Sequence, residues 1–266
     1  MPRSAKILRR SASPGPRFVY RQTGPQGQFR LFWSDAGTFD LDARAARASC
    51  FLRRNARRDA VEEVLRGPLC AFFLVARGFE PLHASAALLK GRCVAFAGPP
   101  GAGKSSLVAA LSRQGARFIC DDLLPLSVSG GSVLAHAGLP ELRLMPRAAR
   151  GLSWQKEERA LASGKRAFRL APARGPHPIA CIYLLDRRPA VSVRRVRVQP
   201  LTSRDAFRAL LRFTRNDSVT TPARLQRQLL LFARLASRVP VRRLIYPGGY
   251  ARISEVLAAV RQDLKA

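Results

Sequence analysis

Arg92-Cys-Val-Ala-Phe-Ala-Gly98-Pro-Pro-Gly-Ala-Gly-Lys104-Ser105-Ser-Leu-Val-Ala-Ala-Leu-Ser-Arg113 is the stretch that decides the fold. Gly98–Ser105 meets the pattern G-x-x-x-x-G-K-[ST] at every defined position. The residues before it are apolar and β-prone, and those after it read as an amphipathic helix. Strand, glycine loop and helix together aim backbone N–H groups and a helix N-terminus at an anion. Gly98, Pro99, Pro100, Gly101, Ala102, Gly103, Lys104, Ser105 and Ser106 are therefore the candidate nucleotide-binding residues. Lys104 supplies a charge at the β- and γ-phosphates, and the Ser105 hydroxyl is a candidate Mg²⁺ ligand. ATP and magnesium are the cofactors this pattern implies.

Working outward, Leu82-His-Ala-Ser-Ala-Ala-Leu-Leu89 reads as a buried strand turned by Lys90-Gly91 into the loop strand. Arg117–Cys120 reads as a third strand ending in Asp121-Asp122. Leu123–Val128 and Ser132–His136 form a hairpin across Gly130-Gly131. Pro146–Leu152 and Gln155–Ala162 read as helices, and Arg166–Leu170 as a strand. Ile179–Asp186 and Val191–Gln199 read as strands joined by a turn at Arg187–Pro189. Two amphipathic helices (Thr202–Phe213, Pro222–Ser237), a strand (Val241–Tyr246) and a helix (Ile253–Leu264) close the chain. Upstream, Phe29–Ser34 and Thr38–Leu41 form a hairpin, followed by helices at Asp59–Leu65 and Pro68–Ala76. Alternating strands and helices with interleaved hairpins predict an α/β fold with a mixed sheet, not a purely parallel one. The domain reading is a basic, mobile arm over 1–28, a small strand and helix lobe over 29–78, and a phosphate-loop domain over 79–266.

Net charge is +30 over 266 residues, with 47 Lys and Arg against 17 Asp and Glu. An acidic partner follows from that imbalance. The arginines are spread along the chain and the aromatics lack a base-stacking pattern, so an acidic or serine-containing peptide or protein is favoured over nucleic acid. The five cysteines are scattered and form no C-x-x-C. They read as reduced thiols in a cytoplasmic protein, not a disulfide or zinc framework. The longest apolar run, Leu69–Ala76, is too short to cross a bilayer.

A carboxylate at the end of a neighbouring strand is what a phosphate loop needs to hold Mg²⁺. Asp121-Asp122 offers two. Consecutive side chains of an extended segment face opposite ways, so without a sharp turn only one faces the metal; the other is placed to take a proton from an attacking hydroxyl. His83 lies in the strand preceding the loop strand, within reach of the strand ends. Arg143 and Lys165, the latter after Gly164, are candidates for stabilising a transferred phosphate.

Leu82-His-Ala-Ser-Ala86, the loop Gly98–Ser105 and Asp121-Asp122 stand in an order and spacing that resembles the HPr kinase/phosphorylase-like serine kinase family. The smaller members, such as kinases of lasso-peptide clusters, are the nearer likeness. The resemblance covers about Leu82 to Leu126 closely, and Leu142–Leu144, Ile179–Leu185 and Val239–Pro247 loosely. It implies a mixed sheet with an embedded phosphate loop, similar to the HPr kinase C-terminal domain and the phosphoenolpyruvate carboxykinase core. It implies phosphoryl transfer from ATP to a serine hydroxyl, with His83 tuning the acid–base aspartate. Asp121 is taken as that base and Asp122, with Ser105, as the metal side; the reverse split stays open. Ala84 stands where bifunctional members carry glycine, and their glycine-rich segment after the aspartates is replaced by Gly138–Pro146. The phosphorylase reaction and HPr as substrate are therefore not carried over, and a homo-oligomer is compatible but unspecified. A small-molecule kinase, or an ATP-binding regulator that contacts nucleic acid, is the alternative reading.

Overall fold

The computed structural model describes residues 6–10, 18–24, 28–42, 46–154, 158–161, 163–215 and 221–265. The chain divides into two compact units: Met1–Phe79 with Asn216–Gln226, and Glu80–Arg215 with Arg227–Ala266.

In the smaller unit, β1 (Lys6–Arg10), β2 (Phe18–Gly24), β3 (Gln28–Trp33), β4 (Gly37–Asp42) and β5 (Arg47–Leu52) form an antiparallel sheet in sequence order. Phe29 and Leu31 of β3, and Phe39 and Leu41 of β4, are buried at period two, as one covered face requires. They pack against Val64, Leu69, Phe72 and Val75 from α1 (Arg58–Val64), α2 (Cys70–Ala76) and the π-helical turn between them, Leu65–Leu69. That turn holds Pro68, which has no N–H to give to a regular helix. The segment over 1–28, read as an arm with one strand around Phe18–Tyr20, supplies β1 and β2, and β5 is a strand the sequence reading did not contain.

The larger unit runs β6 (Glu80–Leu82), β7 (Ala84–Leu89), β8 (Arg92–Ala97), α3 (Lys104–Arg113), β9 (Arg117–Cys120), β10 (Leu124–Ser129), β11 (Ser132–Ala135), β12 (Glu141–Leu144), α4 (Pro146–Gly151), β13 (Glu158–Ala160), β14 (Arg166–Arg169), β15 (His177–Arg188), β16 (Arg197–Pro200), α5 (Ser203–Leu211), α6 (Pro222–Arg238), β17 (Val241–Pro247) and α7 (Ile253–Asp263). The division between units falls inside α6. Nine strands form one mixed sheet in the order β6-β10-β11-β15-β8-β7-β9, with β17 beside β15 and β16 beside β17. β15 is parallel to β8 and to β17, and the remaining pairs are antiparallel.

Side chains alternate across this sheet. Val94 and Phe96 of β8, with Tyr183 and Leu185 of β15, pack with α3, α4 and α7 on one face. Cys93, Ala95 and Ala97, with Ile182 and Leu184, pack with α5 and α6 on the other. β6 and β7 are separated by His83 alone, yet β6 pairs with β10 and β7 with β8 and β9. One strand therefore bends at His83 to serve two parts of the sheet, which curls. The single strand expected over Leu82–Leu89 is corrected accordingly.

Two further expectations fail for physical reasons. Of the helix expected over 155–162, residues 158–160 are β13; 155–157 and 162 lie outside the described residues. β13 pairs with β14 in a hairpin closed by Leu161 N–H to Lys165 O at 2.9 Å, with Gly164 at φ +73°. The turn outweighs helix propensity there. The hairpin expected between Ile179–Asp186 and Val191–Gln199 is also absent, because β17 takes that edge of β15 and β16 pairs with β17 instead. Among the described residues no helix is long and apolar enough to cross a membrane.

Candidate active site

Strand direction gathers the site on one sheet edge. β8 ends at the loop. β7 is antiparallel to it, with Ala84 opposite Ala97, so His83 starts at that edge. β9 is antiparallel to β7, with Cys120 opposite Ala86, so Asp121-Asp122 emerge there too. The parallel neighbours β15 and β17 deliver Arg187 and Tyr246, which stand opposite each other near their ends. Crevices outside the carboxyl ends of parallel strands are where open α/β sheets bind ligands.

The loop depends on its glycines. Gly101 and Gly103 have φ of +78° and +103°, values that side chains resist. A Cβ on Gly103 would lie 2.7 Å from the Tyr246 hydroxyl, and that hydroxyl donates to Ala102 O. Ala102 N–H donates to Pro99 O at 3.1 Å, and Arg187 Nη1 to Gly101 O at 3.2 Å. Lys104 is buried at the start of α3, with Nζ donating to Gly98 O at 2.8 Å and Pro99 O at 3.2 Å. Burial lowers its pKa to about 8, although Asp122 and Asp121 pull the other way.

The two aspartates are parted by a sharp turn and not by strand alternation. Leu123 N–H donates to Asp121 O at 2.9 Å around Asp122, whose φ is +68°. This three-residue turn is a strained conformation that Asp tolerates better than most residues. Asp121 turns inward. Its Oδ1 accepts from Ser85 Oγ at 2.5 Å and Ser105 Oγ at 2.8 Å, and its Oδ2 from the Arg143 backbone N–H at 2.8 Å. Burial raises its pKa, against the pull of these hydrogen bonds. Asp122 faces the open side. His83 Nδ1 lies 3.0 Å from its Oδ1 and 3.0 Å from its backbone oxygen. Arg215 Nη2 lies 3.4 Å from the same Oδ1 and 2.7 Å from His83 Nδ1. Nδ1 needs a proton to donate to Asp122 but a lone pair to accept from Arg215, so the tautomer decides between them. Burial acts to raise the Asp122 pKa, but the His83 hydrogen bond and the Arg215 charge outweigh it and hold the carboxyl well below the usual range.

The expected pairing of His83 with Asp121 is therefore not the one formed: His83 meets Asp122, and Asp121 meets Ser105. Arg143 reaches Asp121 through its backbone, while its guanidinium pairs with Glu141 at 2.8 Å. Lys165, Ser106 and Pro100 line the same cavity as Lys104 and Ser105, a space of about 460 Å³. Asp122 lines it, as do Arg147, Arg187 and Arg215. That volume lies within the ~300–1,000 Å³ typical of small-ligand sites. Arg215 was not foreseen. It arrives because His83 N–H donates to Phe213 O at 2.6 Å and Arg215 N–H to Pro81 O at 2.9 Å, which lays 213–215 along the bend. Nothing marks it among so many arginines. Ser85, Arg187 and Tyr246 were also missed, and the strand ends on which the latter two sit were the available signal.

No family model matches the sequence, and no curated protein does. Among solved structures, one described as the HPr(Ser) kinase/phosphatase from Coxiella burnetii matches with a TM-score of 0.36 and 11% identity, over 70% of this chain and 99% of that one.

Proposed function

We propose that the chain is an ATP- and Mg²⁺-dependent kinase that transfers the γ-phosphoryl group to a serine hydroxyl of a peptide or protein. The observation that carries the reading is that Lys104, Ser105 and Asp122 line one cavity rich in cations. A nucleotide binder uses the first two. A carboxylate kept ionised and facing the cavity adds the base that an acceptor hydroxyl needs.

In this reading the aspartates exchange the roles first assigned to them. Ser105 Oγ and Asp121 Oδ1, 2.8 Å apart, are hard oxygen donors of the kind magnesium takes from protein while phosphate and water complete its shell. Bound beside them, the ion would neutralise charge developing on the phosphate oxygens. Lys104 and the first amides of α3 hold the phosphates, as glycine-loop helices do. Asp122 takes the proton from the acceptor oxygen as that oxygen bonds to phosphorus and the bond to the ADP oxygen breaks. His83 and Arg215 keep Asp122 ionised and oriented. Lys165 and Arg187 add positive charge where phosphate charge spreads. The +30 net charge supports an acidic peptide as partner through long-range attraction.

The test is transfer of labelled γ-phosphate from ATP and Mg²⁺ to acidic and neutral serine peptides, with buffer alone as control. Lys104→Ala should lose both nucleotide binding and transfer. Asp122→Asn should keep nucleotide binding and lose about 10²–10⁴-fold in rate. Undiminished transfer in Asp122→Asn refutes the base assignment, and no labelled hydroxyl acceptor at all overturns the kinase reading.

A further inference from the structure

A second cavity in the larger unit, of about 720 Å³, plays no part in the chemistry above. It lies where α3 ends and β9 begins, and is closed by Ser153-Trp154 after α4 and by Leu170–Arg174 after β14. Its floor is apolar. Ala116, Phe118, Leu170 and Ala173 are buried there, and Trp154 stands edge-on to Phe168 with ring centres 6.0 Å apart. Its rim is cationic. Arg113, Arg117 and Arg174 line it, and among the described residues no carboxylate does. Arg117 and Arg174 are exposed, while Arg113 gives one N–H to Leu152 O. Ser112, also lining it, has a buried hydroxyl with no hydrogen-bond partner among the described residues.

Each feature narrows the occupant. A bare inorganic anion would leave the apolar floor uncovered. A neutral apolar molecule would leave the guanidinium forks unused, and a cation would be repelled. We propose that this cavity binds a ring-bearing organic anion, its flat apolar body against Trp154 and its carboxylate, sulfonate or phosphate head on Arg117 and Arg174. Planar guanidinium groups pair with such heads through two parallel hydrogen bonds. The site is distinct from the first cavity. Lys104–Ser106 line one and Ser112-Arg113 the other, about 12 Å apart along α3 at the rise of a regular helix.

The chain has two tryptophans, Trp33 and Trp154, so Trp33→Phe leaves Trp154 as the sole reporter. That protein is titrated with 1-anilinonaphthalene-8-sulfonate and with its uncharged counterpart N-phenyl-1-naphthylamine. The sulfonate should quench Trp154 saturably at one per chain, and the uncharged dye should bind at least about tenfold more weakly. Arg117→Glu with Arg174→Glu should weaken the sulfonate by a similar factor. Ala171→Phe, at an exposed position on the lining, should block it while circular dichroism stays unchanged. Saturating ATP should leave the titration as it was. Equal binding of the two dyes, indifference to the arginine substitutions, displacement by ATP, or no saturable quenching would each overturn the proposal. Since ATP reports on the first cavity alone, failure here leaves the kinase reading untouched.

Discussion

Replacing Gly103 by alanine adds one methyl group at the entry to α3, and its cost divides into two separable parts. The first is backbone: φ is +103°, and holding a side-chain-bearing residue in such a region costs about 1–3 kcal/mol. The second is contact: the new Cβ would lie 2.7 Å from the Tyr246 hydroxyl. Tyr246 is buried and bonded to Ala102 O, so it cannot swing aside freely. Overpacking of this kind costs about 1–3 kcal/mol more, for a total of about 2–6 kcal/mol. Tyr246→Phe alone loses one buried hydrogen bond, about 1 kcal/mol. In that background the next atom is the ring carbon at 3.9 Å, an ordinary contact, so Gly103→Ala should cost only its backbone part. The double-mutant cycle should therefore show about 1–3 kcal/mol of coupling. Urea unfolding followed by Trp154 fluorescence in a Trp33→Phe background reads the larger unit by itself. Costs that add to within about 0.5 kcal/mol would refute the assignment of Tyr246 as the lock on the loop.

Two further outcomes follow from the carboxylates. His83→Ala or Arg215→Gln removes a partner that holds the Asp122 pKa down against burial, so the acid limb of kcat/KM against pH should move to higher pH; a limb that stays in place contradicts the cluster. Asp121 is the opposite case, its pKa raised by burial. A group of that kind favours the folded state fully below its unfolded pKa, and that contribution is lost as pH rises through the folded pKa. Ser85→Ala removes a hydrogen bond to the ionised form and pushes the folded pKa further up. Its stability deficit should thus grow from acid to neutral pH, toward about 1.5–3 kcal/mol. Urea unfolding at the two pH values checks this, and equal deficits would rule it out.

Several features were readable because they are local. The loop is set by glycines that the backbone needs at Gly101 and Gly103, and by a strand and helix on either side. The hairpins at Ala36-Gly37 and Gly130-Gly131 and the helices over 203–211 and 253–263 carry their own turn and periodicity signals. What failed to show was non-local. β13 is a strand because β14 pairs with it across Gly164. β16 turns away from β15 because β17, over forty residues later in the chain, holds that edge. Arg215 joins His83 and Asp122 because its N–H is bonded to Pro81 O and Phe213 O accepts from His83 N–H, and no pattern within 213–215 foretells a partner that far away.

The sequence by itself determined that a glycine loop would follow a buried strand and open a helix, and that two carboxylates would stand at the end of the strand after it. These are matters of backbone freedom, hydrophobic period and spacing, all short-range. Only the tertiary structure decided which carboxylate meets which partners. The turn at Asp122 and the bend at His83 swing Asp122 toward His83 and Arg215, and leave Asp121 on Ser85 and Ser105. Two neighbouring aspartates are chemically identical in a sequence. They become different only when one is buried among hydroxyls and the other is set beside cations at the mouth of a cavity.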